Sequence, residues 1–283
     1  MKDFLFKSPT KVKFGAGTSF QLYEIFEEMG VKKPFIVTGK HVGKTEEFAK
    51  IIASLEEKGY SVQLFTDTQP DPPIDVCDAA AQVLKDSGCD VCVAVGGGSV
   101  IDTAKAMCML VTNEGSVKEY LFGGSKTVEN PSLPLIAVPT TAGSGSEVSA
   151  ASVITDEEND IKLSVSHEYL MPKFAIIDPL QQVHMPAFIT ATTGMDALTH
   201  AIESYVSLNA NPFSNAYGEM AIRLIGENIR TAVHDPMNLE AREKMAVAST
   251  LAGTAFVNGG LGAGHGISQA MGGAAHVPHG TAH

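Results

Sequence analysis

Tryptophan is absent from this 283-residue chain, and aromatic residues make up only 7% of it. Cysteine is scarce: four in all, with only one closely spaced pair and no second to complete a zinc site. The one close pair, Cys89 and Cys92, opens the strand-like run "CDVCVAV", where residues three apart point to opposite faces. These two, with Cys77 and Cys108, are expected to be buried structural thiols. Positive charge is also short, since 20 Lys and Arg face 32 Asp and Glu and leave a formal net charge of −12. That balance argues against nucleic acid and against an anionic membrane surface as partners. No apolar run approaches the roughly 20 residues that a membrane span needs. The opening "MKDFLFKSPTKVKFG" alternates like a strand and lacks a secretory signal's apolar core and cleavage site. A cytoplasmic address is the expectation.

What is present is a globular composition, 44% hydrophobic and 18% charged, long enough for two domains. Apolar runs alternate with helical patterns through the first part of the chain. "PFIVTG" (34–39) precedes "TEEFAKIIASLEEKG", and "SVQLFT" (61–66) precedes "DVCDAAAQVLKDSG". "CDVCVAVGGGS" precedes "VIDTAKAMCMLV", and "LPLIAVPTT" (133–141) and "KFAIIDP" (173–179) come later. This alternation predicts an α/β domain with a parallel, Rossmann-like sheet covered on both faces. "SAASVITDEENDIKLSVS" predicts a hairpin excursion. From Ala187 onward the pattern is helical only. The expected division is therefore an α/β domain over 1–184 and an all-α domain over 185–283. The chain ends at "HVPHGTAH" with no closing element, so a C-terminally truncated helical domain is expected.

Four stretches carry chemistry. "VAVGGGSVID" places Gly96, Gly97, Gly98 and Ser99 between a strand and a helix, where a phosphate can approach backbone N–H groups at a helix N-terminus. Its spacing is not G-x-G-x-x-G, and a tight turn alone also accounts for such a loop. "PTTAGSGSEVS" (139–149) offers Thr140, Thr141, Ser144 and Ser146 with little bulk between them, and suits a ribose and pyrophosphate. "TGMDALTHAIESY" puts Asp196 and His200 four residues apart, on one helical face. "GHGISQAMGGAAHVPHGTAH" supplies His265, His276, His279 and His283. A carboxylate and several imidazoles suggest a divalent-metal site. Pro278 and Gly280 read as a turn that aims His279.

Together these stretches resemble the iron-containing (group III) alcohol dehydrogenase family. The likeness runs from "KVKFGAG" through "VAVGGGSVIDTAKA", "LPLIAVPTTAGSGSEVS" and "DPLQQVHMPAFITATTGMDALTHAIESYVS" to "GHGISQAMGG" and "HVPHG". The resemblance implies a nucleotide-binding α/β domain, a helical metal-binding domain, and one Asp and three His ligands. By motif these fall on Asp196, His200, His265 and His279, which leaves His276 and His283 as loop residues. It implies cofactor contacts from Gly97, Gly98 and Ser99 to the pyrophosphate. Thr140, Thr141 and Ser144 would line the ribose region, and Lys162 and Leu180 the nicotinamide side. Asp71 would sit on the adenosine side at a position often Asn in the family. Asp102 is expected at the start of the glycine-loop helix, where its charge suits the dipole. A histidine common four residues after the third ligand is replaced here by Gln269, which cannot titrate. An acidic residue that often follows the first long strand is replaced by Gly39, with Lys40, His41 and Lys44 close behind.

The resulting expectation is an NAD(P)-linked alcohol dehydrogenase or aldehyde reductase, its metal polarising a small alcohol or carbonyl substrate. The metal is expected to be Fe2+, with Zn2+ as the second choice. NADP(H) is expected over NAD(H), because no carboxylate follows the first strand and cations stand ready for a 2′-phosphate. A homo-oligomer is possible. The alternatives are a glycerol-dehydrogenase-like zinc enzyme, a dehydroquinate-synthase-like lyase, a metal-dependent hydrolase, and a nucleotide-binding fragment without turnover. The lyase would need a strongly cationic pocket, and the hydrolase leaves "GGGS" and "PTTAGSGSE" without a purpose.

Overall fold

A computed structural model describes residues 3–275 and 277–283. Strand β1 (Lys11–Phe14) leads to α1 (Leu22–Met29), β2 (Pro34–Thr38), α2 (Glu46–Glu57), β3 (Gln63–Phe65), α3 (Ile74–Ser87), β4 (Val91–Gly96) and α4 (Gly98–Thr112). Then come β5 (Leu135–Pro139), β6 (Ala151–Asp156), β7 (Ile161–Ser166) and β8 (Phe174–Ile177). Six of these strands form one sheet in the order β1-β8-β5-β4-β2-β3, and every neighbouring pair is parallel. β2, β4, β5 and β8 are buried along their whole length, which is why they read as continuous apolar runs. Alternate residues serve opposite faces. Phe35, Val37, Cys92, Ala94 and Ala137 pack with Leu84, Ile101 and Met107. Ile36, Val91, Val93, Val95 and Val138 pack with Phe26, Ile51 and Leu55. Cys77, Cys92 and Cys108 are buried free thiols, and Cys89 is half-buried.

Strand order reverses between β2 and β4, so their carboxyl ends diverge into a crevice, the usual ligand position in an open parallel sheet. β6 and β7 form the expected antiparallel hairpin. The N-terminal alternation gives a strand only over Lys11–Phe14. Phe6 instead lies against Phe213 and Tyr217, because an aromatic face further along the chain offers more burial than a sheet edge.

The texture changes after a short 3-10 turn at Pro179–Gln182. Helices α5 (Ala187–Val206), α6 (Pro212–His234), α7 (Leu239–Gly259), α8 (Ala263–Ala275) and α9 (His279–Ala282) follow. Their starts obey local chemistry. Asn211 caps α6 through the N–H groups of Phe213 and Ser214 with Pro212 in the first turn, and Asn238 caps α7. Ala197, Ala201, Ala221, Ala248 and Ala252 fill their shared core, so the helices approach closely. The expected turn around His279 is a correction: His279 opens α9, with Pro278 as its N-cap. His276 lies outside the described residues.

Candidate active site

Two groups of side chains meet where the sheet's carboxyl edge faces the helices. The first is built by the sheet. Gly97 is the N-cap of α4, so the first-turn N–H groups of Gly98 and Ser99 point outward from the crevice with the helix dipole behind them. Thr140 follows β5 and donates its N–H to the Gly96 carbonyl at 3.0 Å, placing the hydroxyl-rich loop 140–149 beside the glycine loop. The packing needs glycine: a Cβ at Gly98 would stand 2.9 Å from Ser144, and one at Gly97 would stand 3.2 Å from Thr141. Leu180 follows β8 on the same edge and donates its N–H to Asp178. Gly39 follows β2 there, and its hypothetical Cβ meets Thr68 Oγ1 at an ordinary 3.5 Å, so a side chain would fit.

Two placements differ from expectation. Asp102 is not in the first turn of α4. It is one turn deeper, where its carboxylate accepts from Ser146 Oγ at 2.6 Å and from the Val153 N–H at 3.0 Å. Lys105 joins it, fully buried, donating to Ser146 Oγ, Ser149 Oγ and the Ala151 carbonyl. Burial pushes the Lys105 ammonium down to about 8 and raises the Asp102 carboxyl. This pair anchors the serine loop and the hairpin to α4. Asp71 pairs with Lys162 across the crevice at 2.6 Å, so these two residues, expected at opposite ends of a cofactor, touch each other.

The second group comes from three helices. Asp196 and His200 lie one turn apart on α5, His265 lies on α8, and His279 and His283 lie at either end of α9. The histidine Nε2 atoms stand 3.8 Å (His265), 3.6 Å (His279) and 3.4 Å (His283) from Asp196 Oδ1. Ligand atoms of Asp196, His265, His279 and His283 all lie within 4.8 Å of one another. Bonds of about 2.1 Å to a tetrahedral cation would put ligand atoms about 3.4 Å apart, so the spacing fits one ion. Buried Asp196 Oδ1 and His265 Nε2 have no hydrogen-bond partner, which is what a cation would supply. Burial pushes His200 and His265 down to about 3 and His279 to about 4, so the imidazoles are neutral and their lone pairs available. Burial also raises the Asp196 carboxyl.

His200 stands at the edge of this quartet. Its ring stacks on His265 and Phe256, with centroids 4.4 Å and 4.6 Å away, and Nδ1 meets the Gly143 carbonyl at 3.3 Å. With Nδ1 protonated, Nε2 keeps its lone pair. His283, read as a loop residue from sequence, is the correction here. Its side chain is buried, and its Nε2 reaches His279 at 3.1 Å and Ser268 Oγ at 3.3 Å. Glu203 was missed altogether. Its carboxylate meets His265 Nδ1 at 2.7 Å and accepts from the Gly262 N–H, the support that a metal-binding imidazole ordinarily has. The signal was legible, because Asp196, His200 and Glu203 fall at i, i+4 and i+7 of one helix. Gln269 is half-buried on α8, one turn beyond His265.

Loop 140–149 joins the two groups. Ser144 covers Gly98, while the next residue back, Gly143, offers its carbonyl to His200. A Cβ at Gly145 would stand 2.6 Å from Gly253 Cα, so the loop lies directly on the backbone of α7. Buried Glu147 accepts from Thr250 Oγ1 of the same helix at 3.0 Å.

Comparison with known proteins places these features in company. Residues 9–179 match the model of iron-containing alcohol dehydrogenases, and residues 190–283 match the C-terminal model of the same family. The NAD-dependent methanol dehydrogenase of Bacillus methanolicus is 40% identical over 272 residues, covering 96% of this chain and 71% of that protein. A 1,3-propanediol oxidoreductase structure superposes with a TM-score of 0.94 at 40% identity, over 99% of this chain and 73% of the other. Sulfoacetaldehyde reductase from Bifidobacterium kashiwanohense, solved in complex with NAD+, gives a TM-score of 0.93 at 34% identity, over 100% of this chain and 74% of that one.

Proposed function

This chain belongs to the iron-containing alcohol dehydrogenase family, and from that premise we propose that it moves hydride between a nicotinamide cofactor and a small alcohol or carbonyl compound. It is an oxidoreductase, an NAD(P)-linked alcohol dehydrogenase. The observation that carries the reading is the adjacency of the two groups: neighbouring residues Ser144 and Gly143 touch the glycine loop and His200 respectively.

The cofactor edge is Gly97, Gly98 and Ser99 for the pyrophosphate, with Thr140, Thr141 and Ser144 opposite and Leu180 closing the far end. Asp102 and Lys105 hold that hydroxyl loop in place. A bound nicotinamide supplies the hydride donor or acceptor. Asp196, His200, His265 and His279 are the proposed metal ligands, with His283 a further donor within reach. A divalent cation there, Fe2+ first and Zn2+ second, supplies Lewis acidity toward the substrate oxygen. Glu203 orients His265, and the Gly143 carbonyl orients His200. No covalent intermediate is proposed. Gln269 cannot take up the proton released on alcohol oxidation, which leaves through water, a cofactor hydroxyl or another residue. Four unpaired cysteines suit the reducing cytoplasm as the proposed setting.

For the cofactor, NADP(H) over NAD(H) remains the proposal, on the open space at Gly39 and the cations that follow it. The preference is held small by Asp67, which faces Gly39 across a β-bridge and pairs with Lys40 at 3.4 Å.

The test is steady-state turnover of a short aldehyde panel with NADH and NADPH, before and after stripping divalent ions with a chelator and restoring them. Turnover without metal sinks the proposal. Gly39→Asp is expected to cut NADPH efficiency by on the order of 1–3 kcal/mol while sparing NADH. A parent that already prefers NADH disproves the Gly39 assignment alone.

A further inference from the structure

The contact between Asp71 and Lys162 has a use that neither residue shows separately. Asp71 has a positive φ of 49°, a left-handed conformation that Asp tolerates. Its backbone N–H meets Ser99 Oγ at 3.3 Å, so its carboxylate is fixed near the first turn of α4. The segment cannot swing away freely, because the Thr155 N–H donates to the Pro72 carbonyl at 2.9 Å and Pro73 bridges Thr155. A negative charge is thereby placed beside the groups that would receive a pyrophosphate.

Lys162 is paired with Thr155 across the hairpin and extends from there to Asp71. Its side chain is only 5% exposed, whereas that of Asp71 is 47% exposed. Helix α8 lies over the Lys162 side chain and the hairpin backbone beside it through two glycines. A Cβ at Gly272 would stand 3.1 Å from Lys162 Nζ, and one at Gly273 would stand 2.6 Å from the Asp160 carbonyl. A nearly buried ammonium needs a counter-charge, and among the described residues Asp71 is its ion-pair partner.

We infer that Lys162 is a positioning residue whose service to nucleotide binding is to cancel the Asp71 carboxylate beside Ser99. The inference rests on the cofactor-binding reading above. The pair enters the site as a neutral unit, so the helix N-terminus presents its positive end to the phosphates undiminished. Because the pyrophosphate is common to both nicotinamide cofactors, NADH and NADPH are affected alike.

The experiment is fluorescence titration of NADH and of NADPH into the parent, Lys162→Met, Asp71→Asn and the double variant. Lys162→Met leaves a bare carboxylate and is expected to raise both dissociation constants about tenfold or more, by like-charge repulsion. That loss should shrink as salt rises from about 0.05 M to about 0.5 M, where screening shortens the field. Adding Asp71→Asn to Lys162→Met should return both constants to within about threefold of the parent, which simple damage to the hairpin would not do. Lys162→Gln provides a second version should Lys162→Met fail to fold, and a thermal melt of each variant identifies such failure. A double variant as weak as Lys162→Met, or a Lys162→Met that binds like the parent, overturns the inference while leaving the dehydrogenase reading intact. A parent that binds neither nucleotide overturns both.

Discussion

The sheet edge and the helix cluster are both built to hold a small charged partner, and they use opposite materials. The sheet edge works with backbone. Its groups are N–H donors freed where α4 begins, hydroxyls on short loops, and glycines whose missing side chains make the space. The helix cluster works with side chains. Its donors are one carboxylate and four imidazoles, projected from α5, α8 and α9, with Asp196, His200 and His265 buried and His279 partly exposed. Backbone sites are fixed by local geometry and tolerate exchange of neighbouring side chains. Side-chain sites depend on several helices keeping their phase, and each lost donor is felt in full.

The sharpest way to break this division is a matched pair of variants. Asp196→Ala removes the carboxylate on which the imidazoles converge, and turnover should fall by about 10³-fold or more, with metal lost on analysis. Gly98→Val fills the space under Ser144, and should weaken nucleotide binding by about tenfold or more with metal retained. If Asp196→Ala abolishes NADH binding, or Gly98→Val empties the metal site, the two groups are not separable.

A second, smaller effect examines the join. Gly145 has φ of 62° and lies on the Gly253 backbone. Gly145→Ala adds strain and a clash at once, and should cost about 2–4 kcal/mol in chemical unfolding. Both nucleotide and metal affinity should decline together, since the loop serves both. Loss of one alone would show that the loop serves only that half.

The smallest expected effect sets the halves apart by pH. In the metal-free protein His200, His265 and His279 titrate far below the ordinary histidine value of 6.5, because burial opposes their charge. The unfolded chain therefore takes up protons below pH 6.5 that the folded chain refuses. Stability is complete above the unfolded value and is lost as pH falls from there toward about 4 for His279 and about 3 for His200 and His265. The raised Asp196 carboxyl works the other way and offsets part of the loss. Thermal melts at pH 7.5 and pH 5.5 should differ by on the order of 2–5 °C, and metal should raise the melting temperature at pH 7.5. Equal melts would mean that the imidazoles carry charge in the folded state.

The same contrast explains what sequence could tell. The glycine loop, the sheet strands and the β6–β7 hairpin were legible because their signals are contiguous: apolar runs, Gly clusters and an acidic turn. Asp196 and His200 were legible because helical phase brings i and i+4 together. Glu203 obeys that rule one turn further on, and went unnoticed because an exposed-looking Glu is ordinary on a helix. His283 required knowing that "HGTA" winds into a helix with His279 at its start. The pairing of Asp71 with Lys162 was hidden more deeply, since it follows from how the hairpin lies over residues 71–73. Asp102 was misplaced by a single turn of α4, enough to convert an expected dipole contact into an anchor for loop 140–149.

That loop bears on how such a protein could be recombined. By chain order residues 140–149 belong with the strands, yet Gly143, Gly145 and Glu147 rest on α5 and α7. A crossover at 183–186, where the strands give way to helices, would cut the covalent seam and leave this interface mismatched. Grafting the helices of a relative onto this sheet should succeed only when the segment 140–149 travels with its new helices. The unit of inheritance for this metal site is then discontinuous, ten residues from one half of the chain together with the helices of the other.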